Sequence, residues 1–566
     1  MKVLKKVVLL LSCIAFFIQI APANYFALAL FGVLGILAGV QLGKWERSRL
    51  KPVWLIVLIL ISVYIAYSTG RVFHIIWAPS SQLKALLSRY TTDTDSLLNI
   101  FCSLGSVAAF PAVFALLRLL FDYVQRIIPI LREERSSLPR TSRRGTFIKA
   151  AGIAALNLIG AVILGVVLLT AVYKLPIERV DNNVRNSAEI IQSEGDFPIR
   201  YSWCSSQMFN YTDSIMLLEA ADDSESSALE RALMAYRGKI DGVSGISNTL
   251  VSHYISGIEY TGKTSYSRYW HGYQVIFKPL LEIMDYGAIR VLNSIVQVAL
   301  VILISVLLAK RNAGQYILPF LCAYLMLNPL TMGVSMQYSF CFYMIALGCI
   351  ALLLLPEKKR SRYAYLVFLN IGIFTAYFDF LTYPIAAFGI PAVLYTVLKK
   401  EDSLTKKLED LIRFGVVWCF GYGGMWVSKW VVANLLTGYD TIAEAVSQFS
   451  IRTSTKNNYG TPFTKASCIL LNCGEFLFTP ASIICIVFAL YLIRKIKASG
   501  SSGSNETLAR FFPYLVLSFA PIVWYAFASN HSLIHYFMAN KSCVVTMFAI
   551  LAGLVDVKKK SIVSSQ

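Results

Sequence analysis

Ionisable residues at the edge of apolar stretches are the first candidates for chemistry, because a charge at a membrane boundary is costly and by default marks a functional site. Asp379 in AYFDFLTYP and Lys429 in MWVSKWVV are two of these. A carboxylate there can act as a general base and an amine can steady a developing phosphate charge. Each also has a plain structural reading: Asp379 as a helix-end carboxylate bonded to local backbone, Lys429 as an amine snorkelling to the headgroups. Arg118 and Arg290 read as boundary anchors. In a polar stretch, YTDSIM sets Asp213 ahead of Glu219, Asp222 and Asp223, which is either a solvated acidic loop or the place of a catalytic carboxylate. The run Arg268-Tyr269-Trp270-His271-Gly272-Tyr273 gathers a cation, an imidazole and three aromatics. That mix stacks on sugar rings and pairs with phosphate, and it also suits an interfacial aromatic belt. His531 and His535 stand at i, i+4, with Lys541 following. Two imidazoles so spaced can share a helix face for a metal, but no carboxylate stands at a matching position, and no metal is expected.

The elements that must position these residues are membrane helices. The chain has 566 residues, 56% hydrophobic and 15% charged, with a mean hydropathy of +0.60, whereas soluble domains carry roughly 25% charge. That balance excludes a soluble enzyme, a fibre and a disordered chain. Fourteen stretches are long and apolar enough to cross ~30 Å of hydrocarbon: 3–21, 24–42, 53–69, 99–121, 149–173, 288–309, 314–331, 338–355, 363–380, 383–398, 411–433, 467–493, 511–528 and 540–555. The expected fold is therefore an all-α polytopic membrane protein of about 14 transmembrane helices with one large external loop domain. The net charge of +20 would suggest nucleic acid in a soluble protein. Here, with an N-terminus on the cytoplasmic side, 32 of the 52 Lys and Arg fall in or beside cytoplasmic loops, as the positive-inside rule asks. Both termini are then cytoplasmic, and no nucleic-acid partner is expected. Ala21-Pro22-Ala23 resembles a signal-peptide cleavage site, but the next apolar run starts at Asn24, so an uncleaved first helix is the expectation. The eleven cysteines show no paired spacing for a disulfide framework or a zinc site.

Residues 174–287 form the large polar insertion, placed outside by this topology, and 434–466 a second, shorter external stretch. Between Asp213 and Tyr236, apolar residues at helical intervals among acidic ones predict an amphipathic helix pair lying at the interface. The Gly/Ser run at 499–504 reads as a cytoplasmic linker. No internal repeat of fixed period is apparent. The organisation expected is a four-helix membrane region over 1–148, a second module over 149–435 including the loop, and a C-terminal region over 436–566.

The segment SRYWHGYQVIFKPLLEIMDYGAIRVLNSIVQVALVILISVLLAKR at 267–311 is similar to a pattern in polytopic glycosyltransferases of the GT-C superfamily, such as protein mannosyltransferase-like and aminoarabinose transferase-like enzymes. In that pattern an aromatic-rich stretch leads into a half-buried helix, here 272–284, then a short turn, then an entry, here Ala288-Ile289-Arg290-Val291-Leu292, into a long apolar helix. The resemblance covers roughly 149–435. It implies that the first long external loop carries the catalytic carboxylate, at Asp213, with Asp379 as second choice. The implied donor is a sugar on polyprenyl phosphate and the acceptor a cell-envelope glycan or lipid. Arg268, Tyr269, Trp270, His271, Lys429, His531, His535 and Lys541 would hold the donor and steady the leaving phosphate. No cofactor is implied, and no P-loop or dinucleotide fingerprint occurs. The chain departs from the pattern in having four apolar stretches ahead of the matched module and no second acidic residue directly after Asp213. Two other readings stay open: a polysaccharide polymerase or ligase working through external arginines, and a lipid or solute transporter, which would show paired repeats and broken helices.

Overall fold

A computed structural model describes residues 2–43, 50–89, 91–137, 144–201, 204–399, 403–498 and 504–563. The chain is 79% helical. Most of the expected Gly/Ser linker, residues 499–503, lies outside the described residues.

The N-terminal helices are α1 (Lys2–Gln19), α2 (Tyr25–Gly43), α3 (Pro52–Trp77), α4 (Ser81–Leu87), α5 (Thr94–Ser137) and α6 (Arg144–Val172). Gly35 and Gly39 let α2 touch α1 backbone to backbone: a Cβ at either would come within 2.6 Å of the Ile14 or Leu10 Cα. The apolar run expected at 99–121 is only the middle of α5, which spans 44 residues through Pro111 and Pro129.

Between α6 and the next long helix, the insertion folds as α7 (Glu178–Glu194), α8 (Asn210–Ala220), α9 (Ala228–Met234), β1 (Arg237–Lys239), α10 (Ile246–Tyr254), β2 (Gly262–Thr264) and α11 (Gln274–Leu281). The two strands pair antiparallel, Arg237 opposite Thr264. Val184, Ile215, Leu217, Leu250 and Phe277 form its core. The helix pair expected over 213–236 forms as α8 and α9, but α8 is not amphipathic and does not lie at an interface. Every residue of α8 except Tyr211 is buried, so the helix is a central strut and its carboxylates are enclosed.

The remaining helices are α12 (Tyr286–Lys310), α13 (Ile317–Met326), α14 (Pro329–Met332), α15 (Met336–Leu354), α16 (Glu357–Phe378), α17 (Ile385–Leu398), α18 (Leu404–Thr437), α19 (Thr441–Thr453), α20 (Lys465–Leu477), α21 (Ser482–Ala498), α22 (Asn505–Ser518), α23 (Ala520–Phe527), α24 (Ser529–Ile534), α25 (Tyr536–Ala539) and α26 (Val544–Val563). Among the described residues eight helical segments are long and apolar enough to cross a membrane: 25–43, 52–77, 94–137, 148–172, 286–310, 336–354, 505–527 and 536–558. The pair α20 and α21, bent by 91° next to Pro480, would make nine. The five other expected stretches fall on α1, α13, α16, α17 and α18, which are too short, too charged or insufficiently apolar to qualify by themselves. Helix α17 is nevertheless buried along its whole length, and it sits at the centre of a core that takes in α13, α15 and α26. The helix ends that meet the insertion define the loop-domain face of this bundle.

Candidate functional site

Asp213 is fully buried near the start of α8. Its Oδ2 accepts the backbone N–H of Met336 at 3.0 Å and its Oδ1 that of Gln337 at 3.0 Å, so the carboxylate caps the N-terminus of α15. Ser335, at the N-cap position, makes no side-chain bond of its own to that terminus. An anion is stabilised there by the helix dipole and the free amides. The Tyr286 hydroxyl donates to the same carboxylate. Burial pushes the Asp213 carboxyl above its ordinary range, against the Tyr286 hydrogen bond, the Arg290 charge and the two amides. Arg290 is itself held by Glu194 in a two-pronged pair, both contacts at 2.9 Å, and by Asn210 Oδ1 at 3.1 Å. Burial acts to raise the Glu194 carboxyl, but Arg290 outweighs it and leaves the group below its usual value. Arg290 thus ties the first turn of α12 to the loop domain, which goes beyond boundary anchoring.

The aromatic run forms a second group. His271 has φ = 55°, in the left-handed region, and this turns its ring inward. The adjoining Gly272 N–H bonds the Tyr377 carbonyl oxygen at 2.9 Å, where a side chain would strike the Tyr377 ring. His271 Nδ1 lies 3.0 Å from Glu219 Oε2 and 2.8 Å from the Tyr273 hydroxyl, which donates to Glu219. Its Nε2 lies 2.8 Å from the Tyr266 carbonyl oxygen, to which it donates. Glu219 is fully buried and, among the described residues, its Oε1 has no hydrogen-bond partner. Trp270 donates from Nε1 to the Met425 carbonyl oxygen at 2.7 Å. One turn on, Lys429 donates to the Leu233 carbonyl oxygen at 2.5 Å, its Nζ 5.6 Å from the centre of the Trp270 ring. Lys429 is completely buried, so it binds the loop domain to α18 and does not snorkel. Arg268 pairs with Glu444 of α19 and lies 4.4 Å from the centre of the Tyr266 ring. Tyr269 packs edge-on against Trp426 and Phe380. Nearby, Lys278 donates to the Ala220 carbonyl oxygen at 2.8 Å. Burial, with the Arg231 charge, lowers its amine to about 8.

Asp379 ends α16 and bonds the Thr382 N–H at 2.9 Å and the Thr382 hydroxyl. It closes the tight turn in which Leu381 takes φ = 65°. His531 Nε2 meets the Leu381 carbonyl oxygen at 2.7 Å. Its ring is 4.8 Å from that of His535, which packs on Phe209. Lys541 lies 4.9 Å from the centre of the Tyr338 ring and 3.5 Å from the Ser205 carbonyl oxygen. Among the described residues no three His, Cys, Asp or Glu side chains stand close enough to hold a metal ion.

Of the sequence-predicted residues, Asp213 sits at the N-terminus of α15, Asp379 and His531 at the 379–383 turn, and Arg268, Trp270 and Lys429 at the seam with α18 and α19. Phe380 joins the turn to the aromatic run by packing on Tyr269, His271 and Tyr273. From this region a cavity of about 850 Å³ runs between α6, α11, α12, α15, α16 and α18. It extends from Ile289 and Met336 at the loop-domain face to Leu300 and Leu347, a depth of roughly 16 Å at 1.5 Å per residue. Its walls are largely apolar, with Asn293 and Tyr343 joined by a hydrogen bond at its upper part. Met336, bound by Asp213, and Tyr377, whose ring is tilted against that of Trp270 at 5.5 Å, both line it.

Glu219, Tyr273, Tyr286 and the Glu194–Arg290 pair were not singled out as site residues by sequence. One signal was available for Glu219: a carboxylate in the otherwise apolar run SIMLLEA must have a buried partner if that run is enclosed. Compared with protein-family models, curated proteins and solved structures, the chain matches none.

Proposed function

We propose that the protein is a polytopic membrane glycosyltransferase of the GT-C kind, moving a sugar from a polyprenyl-phosphate donor to a cell-envelope glycan or lipid. The observation that carries this reading is the apolar cavity of about 850 Å³ whose walls include Met336, the residue Asp213 caps, and Tyr377 and Met425, which contact Trp270 of the aromatic run. Such a groove suits an isoprenoid chain, with the phosphate and sugar at the loop-domain face, outside the cell in the proposed fourteen-span topology. Asp213 acts as general base, and burial moves its proton affinity in the direction a base requires. The acceptor hydroxyl takes the place of the Tyr286 phenol as the side-chain donor to Asp213. As the acceptor oxygen bonds the anomeric carbon, its proton passes to the carboxylate. The bond from that carbon to the phosphate oxygen breaks, and the electron pair leaves with polyprenyl phosphate. Lys429, held by the Leu233 carbonyl oxygen, and Arg268, paired with Glu444, lock the loop domain onto α18 and α19 beside this face.

The test is release of polyprenyl phosphate from a polyprenyl-phosphate sugar by the full chain in nanodiscs supplied with envelope glycans. Release that depends on acceptor supports the reading. A second reading, transport, is favoured by the 91° break between α20 and α21. Solute or lipid movement across sealed vesicles with no release of polyprenyl phosphate would replace the enzyme reading with that one.

A further inference from the structure

A groove between α3 and α5 lies outside everything the proposed reaction uses. It encloses about 620 Å³ and runs from Arg71, His74 and Asn99 near the loop-domain face to Val63, Val107 and Phe110. From Arg71 to Val63 the drop is roughly 12 Å along the helix. The two helices meet at Gly70, where a Cβ would run into Ser106 and the Cys102 carbonyl oxygen, so backbone contact sets the spacing of the walls. The shallow end is cationic and the deep end apolar.

Arg71 and His74 are three residues apart and share one face of α3. Among the described residues the Arg71 guanidinium makes one hydrogen bond, a long 3.4 Å contact to the Pro462 carbonyl oxygen, and no carboxylate pairs with it. Its remaining N–H donors are left for a ligand. Asp95, on the first turn of α5, is an acidic group that interacts electrostatically with His74. The Ser103 and Ser106 hydroxyls donate to carbonyl oxygens of their own helix, each at 2.9 Å. Arg71 stands near the end of α3, beyond its most apolar stretch, and a guanidinium there with no carboxylate paired to it can take an anion from outside the chain. Its planar fork matches phosphate oxygens, and the apolar floor suits what a free phosphate lacks.

We propose that this groove binds one phosphate-bearing membrane lipid, its phosphate on Arg71 and His74 and the first segment of its chain along Val63, Val107 and Phe110. The site is independent of the glycosyltransferase reading, since none of these residues takes part in the reaction.

The probe is phosphatidylglycerol bearing a diazirine in one acyl chain, in nanodiscs otherwise of phosphatidylcholine, with the full chain analysed by native mass spectrometry and peptide mapping. One phosphatidylglycerol should be retained, and the photolabel should fall within 63–74 or 99–110. Arg71→Gln should lower retention roughly tenfold, about 1.4 kcal/mol. Val107→Trp, which fills the apolar half and keeps the guanidinium, should lower it as well and keeps the test open if the arginine variant fails to fold. Excess inorganic phosphate should leave the lipid in place. Undiminished retention in the folded variants, a label elsewhere, or full displacement by inorganic phosphate would each overturn the proposal.

Discussion

The Tyr286 phenol donates its hydrogen bond to the Asp213 carboxylate, joining the first residue of α12 to α8 across 73 positions of sequence. The same carboxylate holds the first two amides of α15, so one side chain of α8 ties together α12 and α15, two walls of the cavity. Asp213→Asn replaces an acceptor with a donor that faces an amide, and should cost about 1–3 kcal/mol of stability. If Asp213 is also the base, turnover should fall by a further ~10² to 10⁴ in protein that remains folded. Tyr286→Phe separates the roles: it keeps the cap, and a fall in turnover without a matching loss of thermal stability would mark the phenol as positioning the base.

The raised proton affinity of Asp213 gives a sign for pH dependence. Burial raises its folded-state value, so the folded protein binds the proton more tightly than the unfolded chain. The associated penalty is absent below the unfolded value of about 3.9 and grows as pH rises from there through the raised folded value. Thermal scans of detergent-solubilised protein should show this destabilisation in the native chain and not in Asp213→Asn. An identical pH slope in the two would mean that Asp213 is not held in the way described.

Glu194 has the opposite sign. Arg290 keeps its carboxyl below the ordinary value, so the pair stabilises above the unfolded carboxyl range, and that stability disappears as pH falls through the lowered value. Breaking a fully buried pair costs ~3–5 kcal/mol. Because the Glu194 side chain keeps 19% exposure, Glu194→Gln should cost about 2–3 kcal/mol, detected as a lower melting temperature at pH 7 than at acid pH relative to wild type. A loss that did not depend on pH would assign the effect to packing.

Glu219 and His271 should act as one unit. Their 3.0 Å contact is shared with Tyr273 inside a sealed core, so Glu219→Gln and His271→Gln should be non-additive by about 1–3 kcal/mol in a double-mutant cycle read by thermal unfolding. Additive losses would separate the two residues energetically.

Hydropathy and charge made most of the helices legible, because a span must satisfy its backbone internally and its length is set by the bilayer. The insertion at 174–287 was legible for the same reason, as a polar interval between apolar runs. What the pattern missed depends on contacts distant in sequence. The residues SIMLL of α8 read as one apolar face of a surface helix, yet the opposite face is buried too, since Glu219 meets Tyr273 54 residues away and Asp213 meets Met336 123 residues away. No local periodicity encodes those partners. Lys429 reads as a boundary amine until the Leu233 carbonyl oxygen, 196 residues earlier, is found to receive it. Asp379 was the opposite case: its bonds to Thr382 are three residues away, and the helix-end reading of AYFDFLTYP already contained them.

The cavity itself supplies the most direct test of what it holds. Ala161 of α6 lines its wall, on a helix whose other lining residues include Leu164 and Leu168. Ala161→Trp should fill part of the groove without touching a bond at the loop-domain face. If an isoprenoid chain lies there, KM for a long-chain polyprenyl-phosphate sugar should rise at least about tenfold, equivalent to ~1.4 kcal/mol of lost binding. Turnover at saturation should change little, because the lost contact is made equally in ground and transition states. A short-chain donor, which cannot reach Ala161, should be processed by the variant as by wild type. Equal effects on both donors would mean that the substitution acts through the fold, and no effect on either would place the chain elsewhere on the protein.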